Sequence, residues 1–159
     1  MEAPKTILVP IDFEAASLAA LAMARNLGAR LGLEVVLLHT YAIPIVTYPG
    51  FDSIATAELP AEIAAGAKNA LEKLAAEQGG LRAYVRTGEP AAEILAAIEE
   101  LDPAMVVMGT HGRTGLAHFL LGSVTEKVVQ TSPVPVLTVH APAAATTLTP
   151  HLGQERQAS

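Results

Sequence analysis

Ala104-Met105-Val106-Val107-Met108 runs directly into Gly109-Thr110-His111-Gly112-Arg113, and after the nine residues that follow Gly112 the chain reads Gly122-Ser123-Val124. The apolar half of this stretch, Ala104 to Met108, reads as a strand buried on both faces. Glycines follow at once, where backbone has to bend or approach another group closely. Helical spacing then holds from Gly122 to Gln130, so the stretch is a strand, a glycine loop and a helix N-terminus. Free N–H groups and the helix dipole at such a terminus favour an anion, and phosphate is the first ligand to consider.

On either side the chain repeats this alternation. Thr6 to Pro10 is a continuous apolar run and the expected first strand. Helical spacing from Glu14 to Leu31, carried by Leu18, Leu21, Arg25 and Leu27 to Leu31, ends at Gly32, which suits a helix C′ position. Glu34 to Thr40 reads as a second buried strand. Tyr41 to Thr56, with Pro44, Pro49 and Gly50, has no period and reads as a loop. A long helix is expected from Glu58 to Gln78, stopped by Gly79-Gly80, and then an alternating strand from Leu81 to Thr87. Pro90 to Leu101 places proline at N1 and Ile94, Leu95, Ile98 and Leu101 on one helical face. Val134 to Val139 is the last strand. From Ala141 onward the residues offer no core, so residues 1–140 are expected to form one domain and 141–159 a disordered tail.

Strands alternating with helices imply a parallel sheet covered on both faces. In such sheets ligands sit beyond the carboxyl ends of the strands, where the strand order reverses. The first and fourth strands are the natural central pair. The loops after them carry Pro10 to Asp12 and Gly109 to Ser123, so two polar constellations converge on one crevice.

Composition narrows the function classes. The chain has 159 residues, 51% of them hydrophobic and 16% charged, which suits a single ordered domain. Its formal net charge is −6 and its ten basic residues are scattered, so no nucleic-acid partner is expected. With no cysteine, disulfides, thiolate zinc sites and cysteine nucleophiles are excluded. Met1 to Lys5 does not read as a signal peptide, and charges interrupt every apolar stretch well short of a span of ~20 residues. A cytoplasmic protein with no membrane partner is expected.

Several residues invite a chemical role. Gly109 and Gly112 either admit backbone to a ribose and its phosphates or satisfy left-handed turns. Ser123 fits an N-cap, and a capping hydroxyl and the Val124 N–H would face the same space as a bound phosphate. Arg113 and Thr114 suit phosphate oxygens, or a solvated loop. Asp12, at the sheet's carboxyl edge, suits a ribose or a metal beside phosphates, or a cap on the following helix. His39 ends the second strand near the crevice, placed for a base or substrate. No pair among His39, His111, His118, His140 and His151 has metal-ligand spacing. There is no Walker loop, no Gly-x-Gly-x-x-Gly after the first strand and no Gly-x-Ser-x-Gly elbow. Glu126 falls one turn into its helix, and no general base stands beside the loop.

The spacing Gly109-x2-Gly112-x9-Gly122-Ser123, with Ile7-Leu8-Val9-Pro10-Ile11-Asp12 before it and Ser132-Pro133-Val134-Pro135-Val136-Leu137 after it, resembles the ATP-binding branch of the universal stress protein family. The resemblance covers Lys5 to His140. It implies a Rossmann-like, five-stranded parallel sheet of order 3-2-1-4-5, with ATP and a divalent ion, Mg2+ or Mn2+, between the ends of strands one and four. By motif, Pro10, Ile11 and Asp12 would line the adenine and ribose side, and Met108 and Gly109 would approach the ribose. Gly112, Arg113, Gly122, Ser123 and Val124 would hold the phosphates, while His39 and Thr40 would border the adenine. It further implies a homodimer in which Val134 to Val139 pairs across a two-fold axis, covering an apolar edge. The function implied is a nucleotide-dependent stress-response regulator with at most slow ATP hydrolysis and no catalytic residues. The alternatives are an enzyme that transfers a nucleotidyl group or hydrolyses ATP in the same crevice, and an interaction module without nucleotide. Tyr41 to Thr56 matches no fixed role in the family; a lid, a dimer contact and a mobile loop all stay open.

Overall fold

The computed structural model describes residues 6–43, 58–110 and 121–141. The expected loop at 41–56 lies outside the described residues beyond Ile43, as do the interior of the glycine loop and the tail beyond Ala141. The elements alternate as β1 (Thr6–Pro10), α1 (Ala15–Leu31), β2 (Glu34–Tyr41), α2 (Glu58–Glu77), β3 (Arg82–Thr87), α3 (Pro90–Leu101), β4 (Met105–Gly109), α4 (Ser123–Thr131) and β5 (Val136–Val139). The strands form one five-stranded parallel sheet in the order β3-β2-β1-β4-β5, the order implied by the family resemblance.

Alternate residues of each central strand enter opposite cores. Ile7, Val9, Val35, Leu37 and Val107 pack under α1 and α2. Leu8, Val36, Leu38, Val106 and Met108 pack under α3 and α4. β1 is buried from Thr6 to Val9, as its unbroken apolar run requires.

Several details go beyond the sequence reading or depart from it. Gly109 closes β4 as its last strand residue and is not the first residue of the loop. β5 begins at Val136 and not Val134, because the Ser132 hydroxyl bonds both the N–H and the C=O of Val134 and holds a turn there. The buried stripe of α1 is Ala16, Ala20, Ala24 and Gly28 with Ser17 and Leu21, whereas Leu18 and Leu31 are 40% and 56% exposed. Small residues let this helix lie close on the sheet: a Cβ on Gly28 would stand 3.3 Å from a Val35 methyl of β2, and 2.7 Å from the Leu33 carbonyl oxygen in the turn before it. Tyr41, expected as the first loop residue, is the last residue of β2, and α4 runs from Ser123 to Thr131, one residue later than expected at each end. Gly32 closes α1 at φ 68, and Pro90 opens α3 at N1 behind a Glu89 cap.

Candidate functional site

β1 pairs with β2 along its whole length, from Thr6↔Glu34 to Pro10↔Leu38, but with β4 only at Ile7↔Met105 and Leu8↔Val106. Past that point the two strands have no ladder between them. A cavity of about 230 Å3 opens there, at the reversal of strand order where open α/β sheets bind ligands. β1 and its loop supply Pro10, Ile11 and Asp12, while β2 supplies Thr40 and β4 supplies Met108 and Gly109. Ser17 of α1, Pro90 and Ile94 of α3, and Val124 and Thr125 of α4 complete the lining.

The β1 wall turns on Asp12. Its Oδ1 accepts the Glu14 N–H at 2.9 Å, and its own N–H donates to Ser17 Oγ at 3.3 Å. Ser17 in turn donates to the Glu14 carbonyl at 3.1 Å. Asp12 is therefore not the cap of α1, a position taken by Glu14 without a side-chain bond; it closes a side-chain turn over Phe13. Phe13 stands at φ 65, a left-handed conformation that costs an L-residue about 1–2 kcal/mol. The turn holds it from one side and the His39 ring, 4.9 Å away between centroids, from the other. His39 Nδ1 donates to the Ile11 carbonyl at 2.7 Å. His39 thus supports the wall from behind, and Thr40, pointing to the other face of the strand, is the β2 residue that lines the cavity.

The β4 wall turns on Gly109. A Cβ at this position would lie 2.4 Å from the Ala16 carbonyl carbon and 2.6 Å from the Ser17 nitrogen, so the backbone of α1 occupies its side-chain space. This third reason for a glycine is neither of the two the sequence suggested. The next N–H, that of Thr110, donates to Val139 of β5 at 2.9 Å. A planar trans peptide then turns the Gly109 carbonyl the opposite way, toward the open β1 side. Thr125 Oγ1 donates to that carbonyl at 3.0 Å. The Thr110 hydroxyl also shares a 2.6 Å hydrogen bond with His140 Nδ1, tying the root of the loop to the end of β5.

At the far end of the loop, Gly122 caps α4 with φ −60 and ψ 150, a conformation open to any residue, so no turn there demands glycine. Ser123 is the first helical residue and not the cap, and among the described residues no side chain caps the helix. Its first-turn N–H groups, that of Val124 included, have no partner within the helix. Gly122 and Ser123 sit immediately before the lining residue Val124 and are not part of the lining themselves. Gly112 and Arg113, with Thr114, lie outside the described residues.

Ser17, Pro90, Ile94 and Thr125 were not singled out from sequence. Thr125 carried a signal, since it shares the inward face of α4 with Val128, one turn further on. Near the rim, Glu89 accepts the N–H groups of Ala91 and Ala92 and the Lys127 ammonium at 3.3 Å, joining α3 to α4. The Ala92 bond, aided by Ala91 and Lys127, holds its carboxyl below the usual range. Glu126 Oε1 accepts from Gln130. A second depression, about 390 Å3, lies at the opposite edge of the sheet around Gly28, Leu33 and Gly80. Both guanidinium groups on its lining are bonded to neighbours, Arg25 to Gln78 and Arg82 to Glu34.

Comparison with known proteins points one way. The sequence profile of the universal stress protein family matches residues 4–140. The universal stress protein MJ0531 of Methanocaldococcus jannaschii is 34% identical over 143 residues, covering 87% of this chain and 83% of that protein. The universal stress protein YxiE of Bacillus subtilis is 33% identical, covering 84% and 97%. The solved structure of MJ0577, another universal stress protein of M. jannaschii, superposes with a TM-score of 0.71 at 32% identity, covering 88% of this chain and 98% of that one. A universal stress protein solved in complex with cAMP shares the fold with a TM-score of 0.65 at 22% identity, covering 87% and 98%. Among the described residues no helix is long and apolar enough to cross a membrane.

Proposed function

We propose that this chain, which belongs to the universal stress protein family over residues 4–140, binds ATP in the β1–β4 crevice and acts as a nucleotide-dependent regulator, not as a catalyst. The observation that carries this reading is the order of chemistry along the crevice. Pro10, Ile11, Pro90, Ile94 and Met108 make an apolar seat for a base, Asp12 stands on one wall for a ribose, and the uncapped start of α4 stands on the other for phosphate. The cavity, about 230 Å3, is somewhat smaller than the ~300–1,000 Å3 of most small-molecule sites. It takes the nucleoside, and the phosphates extend along α4, where Gly112, Arg113, Gly122 and Ser123 join the Val124 N–H by motif.

A divalent ion, Mg2+ or Mn2+, belongs to the same reading as a companion of the phosphates. The described residues hold no group of three His, Cys, Asp or Glu that would bind one unaided, and Asp12 is the one carboxylate on the lining. When bound, the ion neutralises phosphate charge; Asp12 orients the ligand from the β1 wall. In this reading hydrolysis is slow at most; the carboxylates of Glu126 and Asp12 already have partners, Glu126 in Gln130 and Asp12 in the Glu14 N–H. The reading includes a cytoplasmic homodimer formed through β5. That strand has β4 on one side and no described strand on the other, and Leu137 on it is 40% exposed. Val129 of α4 and Met23 of α1, helices that both pack on β5, are each 43% exposed.

The test is calorimetric titration with ATP and Mg2+, using cAMP as the rival ligand, on the wild type and on Gly122→Val. Valine readily adopts the φ −60, ψ 150 backbone of Gly122, and its side chain would crowd a phosphate at the start of α4. ATP affinity should fall about tenfold or more. Unchanged affinity in Gly122→Val would remove the start of α4 from the site. A wild type that copurifies with no nucleotide and shows no thermal shift with ATP and Mg2+ would favour an interaction module. Multiple turnovers with an acceptor would make the protein an enzyme.

A further inference from the structure

Thr125 has no place in the glycine spacing, yet it is the most buried polar side chain described, 1% exposed. Its hydroxyl donates to the Gly109 carbonyl, a group that the peptide plane has turned toward β1. In a continued ladder a β1 N–H would meet the carbonyls on this edge of β4, but that ladder stops at Leu8↔Val106. Thr125 supplies the missing donor from α4. Gly109 is thereby fixed on three sides: by the α1 backbone pressed against its Cα, by β5 through the Thr110 N–H, and by α4 through Thr125. The hydroxyl is the one side-chain hydrogen bond among those described that joins the helix after the glycine loop to the strand before it.

We infer that Thr125 is a positioning residue for the phosphate end of the ligand. It fixes where the first-turn N–H groups of α4 stand relative to β4, and so governs affinity for the phosphates far more than for the nucleoside, whose seat it only borders. The inference rests on the reading of the crevice as an ATP site. Valine matches threonine closely in shape, so Thr125→Val keeps the packing and removes only the bond, leaving the carbonyl without its donor.

Wild type, Thr125→Val and Thr125→Ser are titrated calorimetrically with ATP plus Mg2+ and separately with adenosine. Thr125→Val should weaken ATP about tenfold and adenosine less than about twofold, while Thr125→Ser keeps ATP within about threefold. Equal weakening of both ligands, or of neither, overturns the inference, and so does a serine variant that loses as much as the valine one. Should Thr125→Val not melt cooperatively, Thr125→Ala replaces it, and the inference stands only if serine and not alanine retains the preference for ATP. A wild type that binds ATP no more tightly than adenosine overturns this inference alone. One that binds neither overturns the ATP reading, and the role of Thr125 falls with it.

Discussion

Toward β5, β4 is paired from Val106↔Val136 to Gly109↔Val139; toward β1 it is paired only at Ile7↔Met105 and Leu8↔Val106. The closed side is held by a backbone ladder, which the Thr110 N–H extends by one more bond to Val139 and the Thr110 hydroxyl reinforces at His140. The open side is held by a side-chain hydroxyl from α4 and by direct contact with the backbone of α1. The difference shows how this fold makes a cavity. Large side chains do not wall off the space; a strand ladder stops early, and the polar groups it releases have to be met by other means. The residues that meet them, Ser17 at the Asp12 N–H and Thr125 at the Gly109 carbonyl, are small, and Gly109 itself has no side chain, because only small residues let helices come that near the end of a strand.

The comparison breaks hardest at Gly109→Ala. The added Cβ would meet the carbonyl carbon of Ala16 at 2.4 Å, and a helix backbone yields far less readily than a side-chain tip. Forcing α1 away from β4 should cost about 1–3 kcal/mol or more of stability in urea denaturation. ATP affinity should fall with it, since Asp12 and Ser17 move with α1. A variant as stable as wild type would show that contact with α1 is not what requires a glycine there.

The same contrast separates what sequence could tell from what it could not. The elements were legible because strand and helix periods are local, and the apolar run of β1 announced burial on both faces. The sheet order came from the family motifs and not from any periodicity. The buried stripe of α1 was not legible from its leucines, of which Leu21 is buried and Leu18 and Leu31 are exposed, because leucines mark a helical face only where a helix stands at ordinary distance from its sheet. Here close approach selected Ala16, Ala20, Ala24 and Gly28. His39 and Thr40 could not be sorted in advance, since β2 is apolar on both faces and its pattern gives no orientation. Ser17 and Thr125 were missed for a related reason. Their partners are backbone groups exposed by the register at which β1 and β4 part, and a register between distant strands leaves no mark in either strand's sequence. Gly109, Met108, Ile11 and Asp12 were legible as a cluster because each stands at the carboxyl end of a recognisable strand.

The closed side has a weak point of its own, since β5 seals β4 and its other edge is free among the described strands. Leu137→Lys tests whether a second copy covers that edge. Leu137 pairs with Val107 in register and is already 40% exposed, so lysine there should leave the monomer folded, with stability changed by less than about 0.5 kcal/mol. Sedimentation velocity should show a shift from dimer to monomer, as expected when charge is placed on an edge strand. A variant that remains dimeric at micromolar concentration would move the interface elsewhere.

The smallest effect lies at the rim of the open side, where Glu89 joins the start of α3 to Lys127 of α4. Its carboxyl is held below the ordinary value of 4.5, first by the Ala92 N–H. A carboxylate with a lowered folded value stabilises the protein above the unfolded value, and that contribution disappears as pH falls through the folded one. Wild type should therefore exceed Glu89→Gln in melting temperature at neutral pH, by on the order of one degree, and the gap should close on acidification below about pH 4.5. Added salt should narrow the gap only in part, because it screens the exposed Lys127 pair and leaves the two backbone bonds in place. A gap that persists unchanged at pH 3 would mean that the shape of the side chain, and not its charge, secures this corner of the crevice.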